Sequence, residues 1–165
     1  MSIFSWLKKL AAPSGTGNAT GHASGVTSDD APPELTAAEK DAMMVGGLDF
    51  LDAITAHQKW KTRLTNYVAK TSPEKLDYRQ ICRDDQCVLG KWINGNGSHL
   101  YGHIPLFSQL KISHAQFHIA AGSIVQMADA GNLDQAKTAL RQGDYSKHSV
   151  KVQGLISSLY TEVKQ

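Results

Sequence analysis

The chain has 165 residues, 41% of them hydrophobic and 19% charged, and a formal net charge of +2. That length provides one domain with a sizeable core and some excess. So small a charge, with no basic block interleaved with aromatics, argues against a nucleic-acid-binding surface. Only two cysteines, Cys82 and Cys87, are present, which excludes a disulfide scaffold. Five apart on one helix they would point in different directions, so free or metal-bound thiols in a reducing compartment are expected.

In chain order, "MSIFSWLKKL" places Ile3, Phe4, Trp6, Leu7 and Leu10 beside Lys8 and Lys9. The charges follow the apolar residues, and the run is too short to span a bilayer. No secretory leader is expected, and the reading is cytoplasmic. Residues 1–10 form a short amphipathic head suited to docking a partner or touching a membrane surface. Residues 11–33, rich in Gly, Ser, Thr and Pro, are a flexible linker. The folded part is 34–165.

From there the pattern is helical. Thr36 and Glu39 resemble a capping box, opening a helix to about Lys70 with Phe50, Ile54, His57, Leu64 and Val68 on its inner stripe. Gly46-Gly47 is a weak point in it, costing roughly 1 kcal/mol per glycine relative to alanine. Ser72 and Pro73 begin a second helix that carries Tyr78, Ile81 and Cys82 and reaches "CVLGKW" at 87–92. "NGNGSHLYGH" reads as loop. A third helix runs from about Pro105 to Ala130, and "GN" stops it. "LDQAKTALRQG" is a short fourth helix. The last, opening near "GDYSKHS", packs through Val152, Leu155, Ile156, Leu159 and Val163. The expected fold is all-α: an antiparallel four-helix bundle with an extra short helix.

The third helix raises the chemical question. His114 and His118 lie four apart on an apolar stripe, so both imidazoles face one spot. His57 occupies the inner stripe of the first helix, and Cys87 lies at the end of the second. Three imidazole nitrogens and a thiolate make a complete tetrahedral set for zinc. Buried neutral histidines each have two ring nitrogens to satisfy, and one metal ion would satisfy one on every ring. Lys91 is placed to lower the thiol pKa of Cys87. Asp52, Asp84 and Asp85 are candidate acceptors for the outer ring nitrogens, and spacing selects none of them. Cys82 is expected to pack within the second helix, His22, His99 and His103 to face solvent, and His148 to lie on a helix surface.

"HQKWKTRL", "CVLGKW" and "HAQFH" together resemble the chemoreceptor zinc-binding (CZB) domain family. His57 and Trp60 fit its first element. Cys87, Leu89, Gly90 and Trp92 fit its Cys-x-Leu-Gly-x-Trp core, and His114 and His118 fit its last. "YGHIPLFSQL" matches the tyrosine, proline and phenylalanine that precede the histidine pair, and the resemblance spans roughly 44–162. It implies a helical zinc sensor with ligands His57, Cys87, His114 and His118, and with Trp60 and Trp92 packed around the site. Such domains regulate a chemoreceptor or a diguanylate cyclase of bacterial signalling, and often dimerise.

No signalling domain fits in the remaining residues, so output is expected in trans on a protein partner. Zinc availability and oxidation of Cys87 are the expected inputs. A static zinc-stabilised scaffold is the alternative. A zinc enzyme is disfavoured, because four protein ligands close the shell and "HAQFH" lacks the glutamate of HExxH proteases. No catalytic residue is assigned.

Overall fold

The computed structural model describes Thr36, Asp41 and residues 44–165. The head, the linker and the Glu39 half of the capping box lie outside the described residues. The described chain opens with a hairpin, β1 (Met44–Val45) and β2 (Leu48–Asp49), antiparallel with Met44 opposite Asp49 and Val45 opposite Leu48. Here the expected continuous helix from Thr36 to Lys70 is corrected. Gly46 and Gly47 have φ of 57° and 80°, the left-handed pair that a tight hairpin turn requires. The diglycine is a turn and not a soft spot in a helix.

Helix α1 (Phe50–Val68) starts directly after the hairpin. The Asp49 carboxylate accepts from the N–H groups of Leu51 and Asp52 at 2.9 and 3.0 Å, a side-chain cap that fixes the first turn. Phe50, Ala53, Ile54, His57, Leu64 and Val68 form its buried face. Lys70, just past the Ala69 cap, has φ of 58° and turns the chain away.

The expected second long helix is not continuous either. Residues 71–77 form no regular element; α2 (Tyr78–Ile81) is a single turn, and α3 (Val88–Asn94) starts afresh. Each start has its own side-chain cap: Asp77 accepts from the Arg79 N–H, and Cys87 from the Gly90 N–H. Competing caps of this kind break a helix that propensity alone would run through. The segment read as loop contains α4 (Asn96–Tyr101). Trp92 ties this region back to the hairpin, donating from Nε1 to the Gly46 carbonyl at 2.9 Å and packing against Phe50, Tyr101 and Phe107.

The C-terminal half follows expectation: α5 (Pro105–Asp129), α6 (Leu133–Gln142) and α7 (Asp144–Val163). Pro105 opens α5 at a position where its missing N–H costs nothing. Gly131, with φ of 82°, closes it. The packing of α5 on α7 is the largest interface, with α1 and α6 laid against both. Ile124 and Val125 of α5 and Val152, Ile156 and Leu159 of α7 are essentially inaccessible. Apart from two short strands, the described fold is all-α. None of its helices is long and apolar enough to cross a membrane.

Candidate metal centre

Helix α5 sets two of the predicted residues side by side. The rings of His114 and His118 lie 4.6 Å apart, and both side chains are buried. Cys87 reaches them from the N-terminus of α3, its Sγ 3.3 Å from His114 Nε2. One ligand atom from each of Cys87, His114 and His118 falls within 4.8 Å of the other two.

Local sequence explains how the thiol gets there. Cys87 sits at the cap position of α3, where its Sγ accepts the Gly90 N–H at 3.3 Å. A β-carbon on Gly90 would lie 1.5 Å from the Asp84 carbonyl oxygen and 3.1 Å from His114 Cε1. Glycine alone permits that approach. Leu89 and Trp92 are buried, so the Cys-x-Leu-Gly-x-Trp element is a cap, a core residue, a close approach and an anchor to the hairpin. A second glycine, Gly122 on α5, does similar work for α2. Its missing β-carbon would meet Cys82 Cβ at 2.9 Å and the Tyr78 carbonyl at 3.1 Å. With α2 so close, the Ile81 carbonyl accepts from His118 Nδ1 at 2.7 Å.

His57 approaches from α1. Its ring centre is 5.6 Å from that of His114 and 4.9 Å from that of Phe117, and Nδ1 donates to the Ala53 carbonyl at 2.9 Å. Its Nε2 is buried with no hydrogen-bond partner among the described residues, and an orphaned buried lone pair calls for an explanation. His57 stands outside the close group of three.

Electrostatics suit a cation. Burial lowers the pKa of His57 to about 4, and burial likewise lowers those of His114 and His118. At neutral pH all three rings are neutral, the form that ligates metal. Burial pushes the Cys87 thiol up. The expected activation by Lys91 is therefore corrected: Lys91 is exposed, and desolvation dominates. A coordinated cation would reverse this, since a metal-bound thiol is deprotonated outright.

The donor set fits zinc. Sulfur at about 2.3 Å and nitrogen at about 2.0 Å on one tetrahedral ion stand roughly 3.5 Å apart, close to the 3.3 Å between Cys87 Sγ and His114 Nε2. His57 and His118 present Nε2 with Nδ1 already committed to carbonyls. Cys87, His114 and His118 are the residues whose ligand atoms lie close enough to share one ion, which would supply the positive charge that keeps the thiol ionised.

Other predicted residues fall elsewhere. A groove of about 540 Å³, bordered by Ala56, His57, Trp60, Cys87 and His118, opens the cluster to solvent. Trp60 is half-buried, lines this groove and lies under the Arg63 guanidinium at 4.3 Å. It borders the opening and is not core packing around the site. Cys82 is exposed at the end of α2, not packed within a helix. His99 and His103 are exposed, as expected; His148 is half-buried, with Nδ1 buried and without a partner among the described residues. Of the three carboxylates, Asp85 is paired with Arg83 at 2.9 Å, Asp52 is exposed on α1, and Asp84 Oδ2 stands 3.9 Å from His114 Nδ1; the charges of Asp84 and Asp85 both act on His118. Gly90, Gly122 and the Ile81 carbonyl are the contributors that sequence reasoning missed as parts of the site. Gly90 was legible as motif only; the other two act through contacts between segments far apart in sequence.

The family model described as the chemoreceptor zinc-binding domain matches residues 57–125. The match begins at His57 and includes Cys87, His114 and His118. No curated protein and no solved structure matches the chain.

Proposed function

We propose, from the match of residues 57–125 to the chemoreceptor zinc-binding family and from the geometry of the cluster, that the protein is a zinc-binding regulatory module that acts in trans on a signalling partner. The ligands are His57, Cys87, His114 and His118. One observation carries the reading: a thiol sulfur 3.3 Å from a buried imidazole nitrogen, beside a second imidazole whose buried Nε2 has no partner among the described residues. Three buried rings in one apolar place are costly without a shared acceptor.

The ligands come from separate pieces of chain. His57 rides on α1, Cys87 caps α3, and His114 and His118 belong to α5. An ion held by all four favours their assembled arrangement by mass action. Its loss frees α1 and the Cys87 segment from a common point. The groove leaves Cys87 reachable from solvent, and this favours a responsive centre over a static one. Oxidation of the ligand thiolate by a reactive oxygen species would weaken the ion's hold, so zinc level and oxidant share one input. Four protein ligands leave no open coordination position, and position 115 is alanine and 116 glutamine, so the reading is regulatory and not enzymatic. Chemotaxis and cyclic-di-GMP signalling are the settings the family suggests, and residues 1–10 are the segment assigned to recruiting the partner.

The test is metal content per chain after purification without added metal, for the natural chain and Cys87→Ala. Near-stoichiometric zinc that falls sharply in the variant supports the proposal. An intact fold with no zinc in either form would leave the family scaffold without its ion. Deleting residues 1–10 is expected to abolish partner capture or change localisation; unchanged behaviour removes that part.

A further inference from the structure

Each histidine at the centre has an outer ring nitrogen whose proton needs an acceptor when the other nitrogen faces a metal. For His57 and His118 the acceptors are in place: the Ala53 carbonyl at 2.9 Å and the Ile81 carbonyl at 2.7 Å. His114 differs. Its Nε2 is 3.3 Å from Cys87 Sγ, and with Nε2 facing an ion shared with that sulfur, Nδ1 carries the proton. That Nδ1 is buried without a hydrogen-bond partner among the described residues, in a side chain with no exposed surface. Bulk water cannot serve it, and a buried donor left unpaired is costly.

One carboxylate faces it. Asp84 Oδ2 stands 3.9 Å from His114 Nδ1, too long for a hydrogen bond but within about 1 Å of one. The Asp84 backbone is held close to the site because its carbonyl oxygen packs against the bare Cα of Gly90. Its side chain is partly exposed.

We propose that Asp84 is the positioning residue of this centre: it accepts the His114 Nδ1–H and balances the charge of the bound ion. Three neutral imidazoles and one thiolate leave a divalent ion with a net charge of about +1, which is unfavourable in a buried site, and one carboxylate cancels it. The inference rests on the zinc reading, and the experiment separates the two.

Cobalt(II) serves as the spectroscopic probe, with zinc affinity measured by competition on the full chain. Asp84→Ala is expected to weaken zinc by roughly 10–100-fold while keeping the thiolate-to-cobalt absorption band, because all four ligands remain. In the zinc-bound form it should also speed solvent exchange of the His114 Nδ1 proton, read by nitrogen-15 NMR. Asp84→Asn, which keeps an acceptor oxygen but no charge, should fall between alanine and the natural residue. Natural affinity and natural proton exchange in Asp84→Ala would overturn the proposal and leave the zinc reading standing. Absence of the thiolate band in the natural chain would overturn both. If Asp84→Ala fails to fold, the near-isosteric Asp84→Asn decides: weaker binding supports the role, and unchanged binding removes it.

Discussion

Helix α5 passes through two regions of opposite character. Near its middle, His114 and His118 meet a thiol and a third histidine beside an open groove. About two to three turns further on, Ile124, Val125 and Ala128 are buried on the side that packs with α6 and α7. The second region is assembled by apolar burial, which needs no ligand. In the first, an orphaned Nε2 and a desolvated thiol are left by the polypeptide alone.

The comparison breaks most sharply at Cys87. Cys87→Ala or His114→Ala should abolish most zinc binding, by about 100-fold or more in affinity, yet leave far-ultraviolet circular dichroism close to natural. Wholesale unfolding would mean that the two regions are not separable. Next in size is Gly90→Ala. Its β-carbon would collide with the Asp84 carbonyl, so a stability loss of about 3 kcal/mol is expected together with loss of metal, measured by denaturant titration and zinc content. A tolerated alanine would show that the turn before Cys87 adjusts freely.

Leu159→Ala probes the other region. A fully buried leucine so truncated costs about 2–5 kcal/mol, and the loss should be the same with and without zinc. A loss that depends on zinc would couple the regions.

Acid offers a subtler test on metal-free protein. Burial holds the folded pKa of His57 near 4, below its ordinary 6.5, so the unfolded chain binds the extra proton in that interval. Stability should therefore be full above about pH 6.5 and fall as pH drops towards 4. His57→Leu should flatten part of that slope, read from denaturation midpoints. The smallest effect is expected for Lys91→Ala, exposed beside Cys87: stability within about 0.5 kcal/mol and thiol reactivity unchanged. A marked change in reactivity would restore the lysine to the site.

Much of the frame was legible. The stripes on α5 and α7 have helical period over twenty residues or more, Pro105 and Gly131 mark the ends of α5, and the burial seen there is the one the stripes require. The candidate ligands were also legible, because His and Cys on apolar stripes are conspicuous, as were the elements that resemble the family. The stretch from 72 to 103 was misread. Its first part reads as one helix to Trp92, but Asp77 and Cys87 each start a new helix with a side-chain cap, and the Gly/Asn-rich end that reads as loop holds α4. The Gly46-Gly47 turn was misread for a related reason: glycine weakens a helix and makes a hairpin, and only the neighbouring strands choose between the two.

Sequence alone therefore determined the all-α class, the long C-terminal helices and the identity of the candidate ligand side chains. Periodicity and residue chemistry are local properties, and they survive in one dimension. The tertiary structure decided how close each ligand comes. Gly90 and Gly122 let backbone approach backbone, α2 delivers the Ile81 carbonyl to His118, and Asp84 alone of three acidic candidates faces His114. These are contacts between segments separated by up to 44 residues along the chain, as between Gly122 and Tyr78, and no local pattern encodes them.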